Sequence, residues 1–154
     1  MAGRAGQLRP EFDVRFQYFL GQGFAILATN VRGSSGYGRA LSMLDEVEKR
    51  MDSVTDLKHA VLWLHEQEIL NAERIAIYGR SYGGFMVLAA LTGIGPFAAG
   101  IDVVGIADWV TFLERTSPWR RTPHRGRNMA RWSTTVHCWS RSRQSTRRIG
   151  SMCR

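Results

Sequence analysis

The stretch that most constrains this chain is Gly79-Arg80-Ser81-Tyr82-Gly83, which follows the run Arg74-Ile-Ala-Ile-Tyr78 and precedes Gly84-Phe-Met-Val-Leu-Ala-Ala-Leu91. The order reads as a strand, a turn with serine at its apex, and an apolar helix. In a G-x-S-x-G turn of this kind the serine sits on a strained corner, and the flanking glycines let neighbouring backbone pass where a Cβ would collide. The string alone is weakly specific; the strand before it and the helix after it are the context a nucleophile elbow demands. Ser81 is therefore the candidate nucleophile, weighed against a plain serine in a glycine-rich turn. The backbone N–H of Tyr82, the next residue, is the candidate oxyanion donor.

The rest of the chain reads as alternating elements. Val14–Leu20 is expected to form a short helix with Phe16, Phe19 and Leu20 as its apolar stripe and Gly21 ending it. Phe24–Thr29 has the short, mostly apolar character of a covered parallel strand. Asn30–Gly38 then forms a glycine-rich loop at the end of the sheet where ligands bind. Ser53 is placed to cap a helix carrying Val54, Leu57, Val61, Leu62 and Leu64 at helical spacing. After the elbow come a strand over Ala99–Val104 and a helix from Trp109, with Asp108 at its cap. Such alternation predicts an α/β fold with a mostly parallel sheet and flanking helices.

Charge divides the chain. Through Pro118 there are 11 basic and 13 acidic residues, whereas Trp119–Arg154 holds 10 arginines, no lysine and no acid. That tail has no apolar period and contains both cysteines, Cys138 and Cys153, at a spacing that fits neither a zinc site nor a disulfide framework. Residues 1–118 are accordingly expected to be the folded domain and 119–154 a disordered segment. Arg4, Arg9, Glu11, Asp13 and Arg15 interrupt any signal-like apolar run, and no stretch has transmembrane length. A cytoplasmic product without membrane contact is expected. No metal-ligand cluster is evident, and Gly33–Gly38 lacks dinucleotide spacing, so neither metal nor cofactor is expected.

Several pieces together carry a more specific likeness: Gly6–Phe12, Gln17–Arg39 with its NVRGSSGYG core, Asp56–Leu64, Arg74–Leu91 and Phe97–Thr116. Over about residues 6 to 121 the chain resembles the catalytic domain of the prolyl oligopeptidase family of serine peptidases, in its acylaminoacyl-peptidase and dipeptidyl-peptidase-like branch. The resemblance implies a partial α/β-hydrolase fold, and hydrolysis of short peptides through an acyl-enzyme on Ser81. It implies that Ile106, Trp109 and Phe112 line the pocket for the residue preceding the scissile bond, against the alternative of core packing. Arg32 and Tyr37 are further candidates for the substrate channel, although turn residues explain their loop equally well.

The same resemblance implies a triad aspartate and histidine that follow later in the family than any matching residue here. Asp102 and Asp108 come too early and read as a strand-end residue and a helix cap. His124 and His137 fall in the arginine-rich tail. The family's HGGP segment, source of a second oxyanion donor, is replaced by Met1-Ala-Gly-Arg4. The tail itself is read as an out-of-frame translation, because a shifted frame permits an E-[YH]-G string over Arg127–Ala130 and an S-P string beyond. The expected partner is a peptide substrate, with no specific nucleic acid and with self-association through an uncovered sheet edge. Two alternatives stand beside this: a carboxylesterase-like hydrolase, or a non-catalytic fragment whose basic tail binds polyanions.

Overall fold

The computed structural model describes residues 6–45, 49–95 and 97–117. The tail from 119 onward, with His124, His137 and both cysteines, lies outside the described residues.

Helix α1 spans Val14–Gly21, and Asp13 caps it in an extended conformation by accepting the Arg15 N–H at 2.8 Å. The left-handed residue that turns the chain away is Gly23, at φ 82°, two positions beyond the expected Gly21. None of α1 is buried, so its aromatic stripe is only half covered. Phe19 packs edge-on against Tyr18 and Phe24.

Residues 24–29 do not form the expected strand. A parallel strand needs a neighbour to complete its ladder, and among the described residues the only ladder joins two other segments. Phe24 and Leu27 consequently remain exposed. Asn30 fixes the end of this stretch: its Oδ1 accepts the Leu8 N–H at 2.7 Å and its Nδ2 donates to the Leu8 carbonyl at 2.9 Å.

Helix α2 is a single turn at Arg39–Ser42, and α3 runs from Arg50 to His65. The start of α3 corrects the sequence reading. Ser53 lies inside the helix rather than at its cap, and its Oγ donates to the Arg50 carbonyl at 2.7 Å. Only the first half of the apolar stripe is buried, through Val54 and Leu57, whereas Leu62 and Trp63 face outward.

A 3-10 turn at Ala72–Arg74, capped by Asn71, leads into β1, Ala76–Arg80. Helix α4 spans Tyr82–Gly93, β2 spans Ala99–Val103 and α5 spans Trp109–Arg115. β1 and β2 pair in parallel, with Ala76 opposite Ala99 and Arg80 opposite Val103, so β1-α4-β2 is one crossover unit. Helix α4 supplies much of the core: Phe85, Met86 and Ala90 pack with Val31, Val54, Leu57 and Trp109. Asp108 caps α5 as expected, its Oδ2 accepting the Thr111 hydroxyl at 2.6 Å. Among the described residues no helix is long and apolar enough to cross a membrane.

Candidate active site

The site forms where β1 ends. Ser81 leaves the strand at φ 56°, ψ −113°, a region L-residues rarely occupy. Its backbone is held on both sides. The Ser81 N–H donates to the Val103 carbonyl at 2.9 Å, and the Ser81 carbonyl accepts the Phe85 N–H at 3.1 Å. The side chain is exposed and makes no capping bond to α4. Position, strain and exposure are those of a nucleophile elbow.

The glycines have steric reasons. A Cβ on Gly79 would fall on the Gly83 carbonyl, and one on Gly84 would meet the Asp102 carboxylate and lie 2.5 Å from the Gly105 Cα. The first turn of α4 can therefore approach both strands only without side chains at these positions. Tyr82, Gly83 and Gly84 precede Phe85, the first intrahelical donor, so their N–H groups point out of the helix end beside Ser81. The Tyr82 N–H, next to Ser81 in the chain, stays the candidate oxyanion donor.

The Tyr82 side chain turns inward. Its ring packs against Phe85, with centroids 5.6 Å apart, and against Trp109 at 6.0 Å. Its hydroxyl lies 3.4 Å from Ser53 Oγ. Burial pushes the phenol up to about 12, opposed by the Ser53 hydrogen bond and the charge of Arg50.

No carboxylate–imidazole pair joins Ser81 among the described residues. The two described histidines are both on α3, and His59 bonds the Thr55 carbonyl of its own helix. Asp108 is engaged in its cap, and Asp102 packs beside Gly84 and Gly105. No group of three or more metal-ligating side chains occurs among the described residues.

A model of the prolyl oligopeptidase family matches residues 10–145, a range that includes the elbow and runs past residue 118. The chain belongs to the prolyl oligopeptidase family. It is 35% identical over 104 residues to dipeptidyl aminopeptidase BIII of Pseudoxanthomonas mexicana, covering 67% of this chain and 15% of that protein. It is 32% identical over 99 residues to dipeptidyl peptidase family member 6 of Caenorhabditis elegans, covering 64% and 13%. With the acylamino-acid-releasing enzyme of Mus musculus it shares 39% identity over 66 residues, 42% of this chain and 9% of that one. The chain thus spans a small fraction of the length of these relatives. No solved structure matches it. The family is one of α/β-hydrolase peptidases, and the small parallel sheet with flanking helices is consistent with part of that fold.

The three pocket candidates of this family member are unequally exposed. Trp109 is buried, at 2% exposure, with its indole edge-on to Phe85 at 5.3 Å and to Phe112 at 5.8 Å. Phe112 is exposed, at 36%, and Ile106 packs partly buried against the core. Arg32 is held by α3: its Nε and Nη2 donate to Asp56 Oδ1 at 2.8 and 2.6 Å, and its N–H donates to Asp56 Oδ2. This ties the glycine-rich loop to α3. Tyr37 stays exposed, its hydroxyl 3.0 Å from Asn30 Nδ2.

Sequence reasoning missed Arg50 and Asp45, which are buried at 3% and 0% exposure. Neither stands in a motif. Arg50 sits at the start of a helix whose charged residues otherwise read as a solvated face.

Proposed function

We propose that this chain carries the nucleophile portion of a serine peptidase site acting on peptides. Ser81 Oγ attacks the scissile carbonyl carbon; the carbonyl π electrons move to oxygen, and the Tyr82 N–H donates a hydrogen bond to that oxyanion. The Ser81 proton passes to a general base and from it to the departing amine nitrogen, so collapse expels a neutral amine and leaves an acyl group on Ser81, which water then removes by the same proton path in reverse. Ile106 and Phe112, with Trp109 behind them, are assigned to an apolar pocket for the residue before the scissile bond.

The observation that carries this reading is the strained, exposed Ser81 between β1 and α4. Serine at neutral pH needs a base to take its proton, and no imidazole bonds to Ser81 among the described residues. We therefore assign this chain by itself negligible peptide turnover. Its reactivity should show only toward a strongly activated phosphorus or acyl centre.

A fluorophosphonate probe, followed by intact mass and peptide mapping, tests the assignment. The expected result is slow labelling confined to Ser81 and abolished in Ser81→Ala. Absence of labelling on long incubation, or labelling that persists in Ser81→Ala, overturns it. Cleavage of chromogenic proline or alanine peptides at ordinary enzyme rates would overturn the claim of negligible turnover.

A further inference from the structure

Three helices of this fold begin at one place. Arg50, Tyr82 and Trp109 are the first residues of α3, α4 and α5, and their side chains pack together. The Arg50 guanidinium carbon lies 4.1 Å from the centroid of the Trp109 ring and 5.8 Å from that of Tyr82. Arg50 is 3% exposed and Trp109 2%. A buried guanidinium gives up its hydration, and three positive helix ends nearby disfavour it further. The negative faces of two aromatic rings offset part of that cost, more strongly for being away from water. The Asp45 carboxylate is buried nearby as well: it and Arg50 act on the Tyr82 phenol with opposite signs.

An arginine is an expensive way to fill a core, so its position calls for a reason beyond packing. Tyr82 supplies it. This residue follows Ser81 directly, and its backbone is the first turn of the helix that closes the elbow. Whatever fixes the Tyr82 ring fixes the peptide beside it.

We propose that Arg50 is a positioning residue for the elbow, its guanidinium bracketed by the Trp109 and Tyr82 rings so that the peptide after Ser81 is held in one orientation. The catalytic meaning of this clamp rests on Ser81 being the nucleophile, whereas the clamp itself does not. Arg50 acts through Tyr82 rather than on the reacting atoms. Met at position 50 keeps much of the volume and removes the cation, and Lys keeps the cation but not the planar face that stacks on a ring.

Amide hydrogen exchange, resolved by residue with NMR on the full chain, tests the clamp without requiring activity. Two amides report on the elbow, Ser81 bonded to the Val103 carbonyl and Phe85 bonded to the Ser81 carbonyl. Two others report on the same unit at its far end, Ile94 bonded to Ala90 and Ala98 bonded to Ile75. In Arg50→Met the first pair should exchange about tenfold faster or more, while the second pair stays within about twofold. Arg50→Lys should fall between parent and Met. Equal acceleration of all four amides means a general stability role and overturns the proposal, as does no acceleration. If Arg50→Met fails to fold, the same four amides in Arg50→Lys decide by the same criterion. Labelling of Ser81 by the fluorophosphonate is read separately, so loss of the nucleophile assignment leaves the exchange result to stand or fall alone.

Discussion

Replacing Ser81 by glycine should make the protein more stable than replacing it by alanine, by about 1 kcal/mol. Both variants lose the hydroxyl, which makes no bond to the cap of α4, so their difference isolates the backbone. At φ 56°, ψ −113° a residue with a Cβ bears strain of about 1–3 kcal/mol. Glycine adopts positive φ without that penalty. Against this, glycine loosens the unfolded chain and gives back about 0.4–1 kcal/mol. The surplus favours glycine. For a folded body of this size, each kcal/mol moves the midpoint by about 4 °C or somewhat more. Thermal and urea unfolding of parent, Ser81→Gly and Ser81→Ala, read side by side by circular dichroism, measures the order. The parent should lie near Ser81→Ala. A glycine variant equal to or less stable than the alanine variant would refute the claim that the corner is strained.

Other perturbations test neighbouring parts of the argument. Gly79→Ala should destabilise by about 1–3 kcal/mol, because its Cβ falls on the rigid Gly83 carbonyl; Gly93→Ala, with open space around it, should be neutral or stabilising by up to about 1 kcal/mol. Comparable urea midpoints for the two would contradict the close approach of α4 to β1. Arg15, hydrogen-bonded to Asp13, holds the Asp13 carboxyl down to about 2, so its contribution to capping α1 is complete above the ordinary pKa of 3.8 and disappears as pH falls through about 2. A carboxyl titration by NMR with a midpoint near 4 would count against it. The Tyr82 phenol, pushed up to about 12 by burial, keeps its proton after the unfolded chain has begun to release its own. Stability should therefore fall as pH rises from about 10 toward 12, by up to about 2–3 kcal/mol. Phenolate absorbance should show a late step that Tyr82→Phe removes.

The elbow was legible because everything it needs is contiguous. A β-branched run, paired glycines and an apolar stretch follow each other within Arg74–Leu91, and the structure returns them as β1, the Ser81 corner and α4. The Asp108 cap was equally local. Phe24–Thr29 was misread because an apolar run states only that a segment suits burial; whether it becomes a strand depends on a partner elsewhere in the chain. Ser53 was misread for a related reason. It has the chemistry of a cap, but the helix gains a further turn to Arg50 because that residue finds two rings to pack against. Arg50 was invisible for the same cause: both its ring partners lie far along the sequence, and no periodicity announces a buried cation.

Presentation of the serine and activation of the serine are therefore separable in this fold. The segment from Ile75 to Gly105 contains both strands of the sheet, the helix between them and both hydrogen bonds that clamp the Ser81 peptide. The close contacts among Gly79, Gly83, Gly84, Asp102 and Gly105 fall within it as well. Strain persists only where surrounding structure over-determines it, and here one crossover unit supplies those constraints, with Arg50 braced against it from α3. A base is a different kind of requirement, since an imidazole can come from any distance along a chain and leaves no mark near the elbow. The crossover unit and the Arg50 brace can consequently hold the Ser81 corner in its strained conformation without a proton acceptor. The strain measured by Ser81→Gly should then be unchanged by any alteration that affects only the proton acceptor.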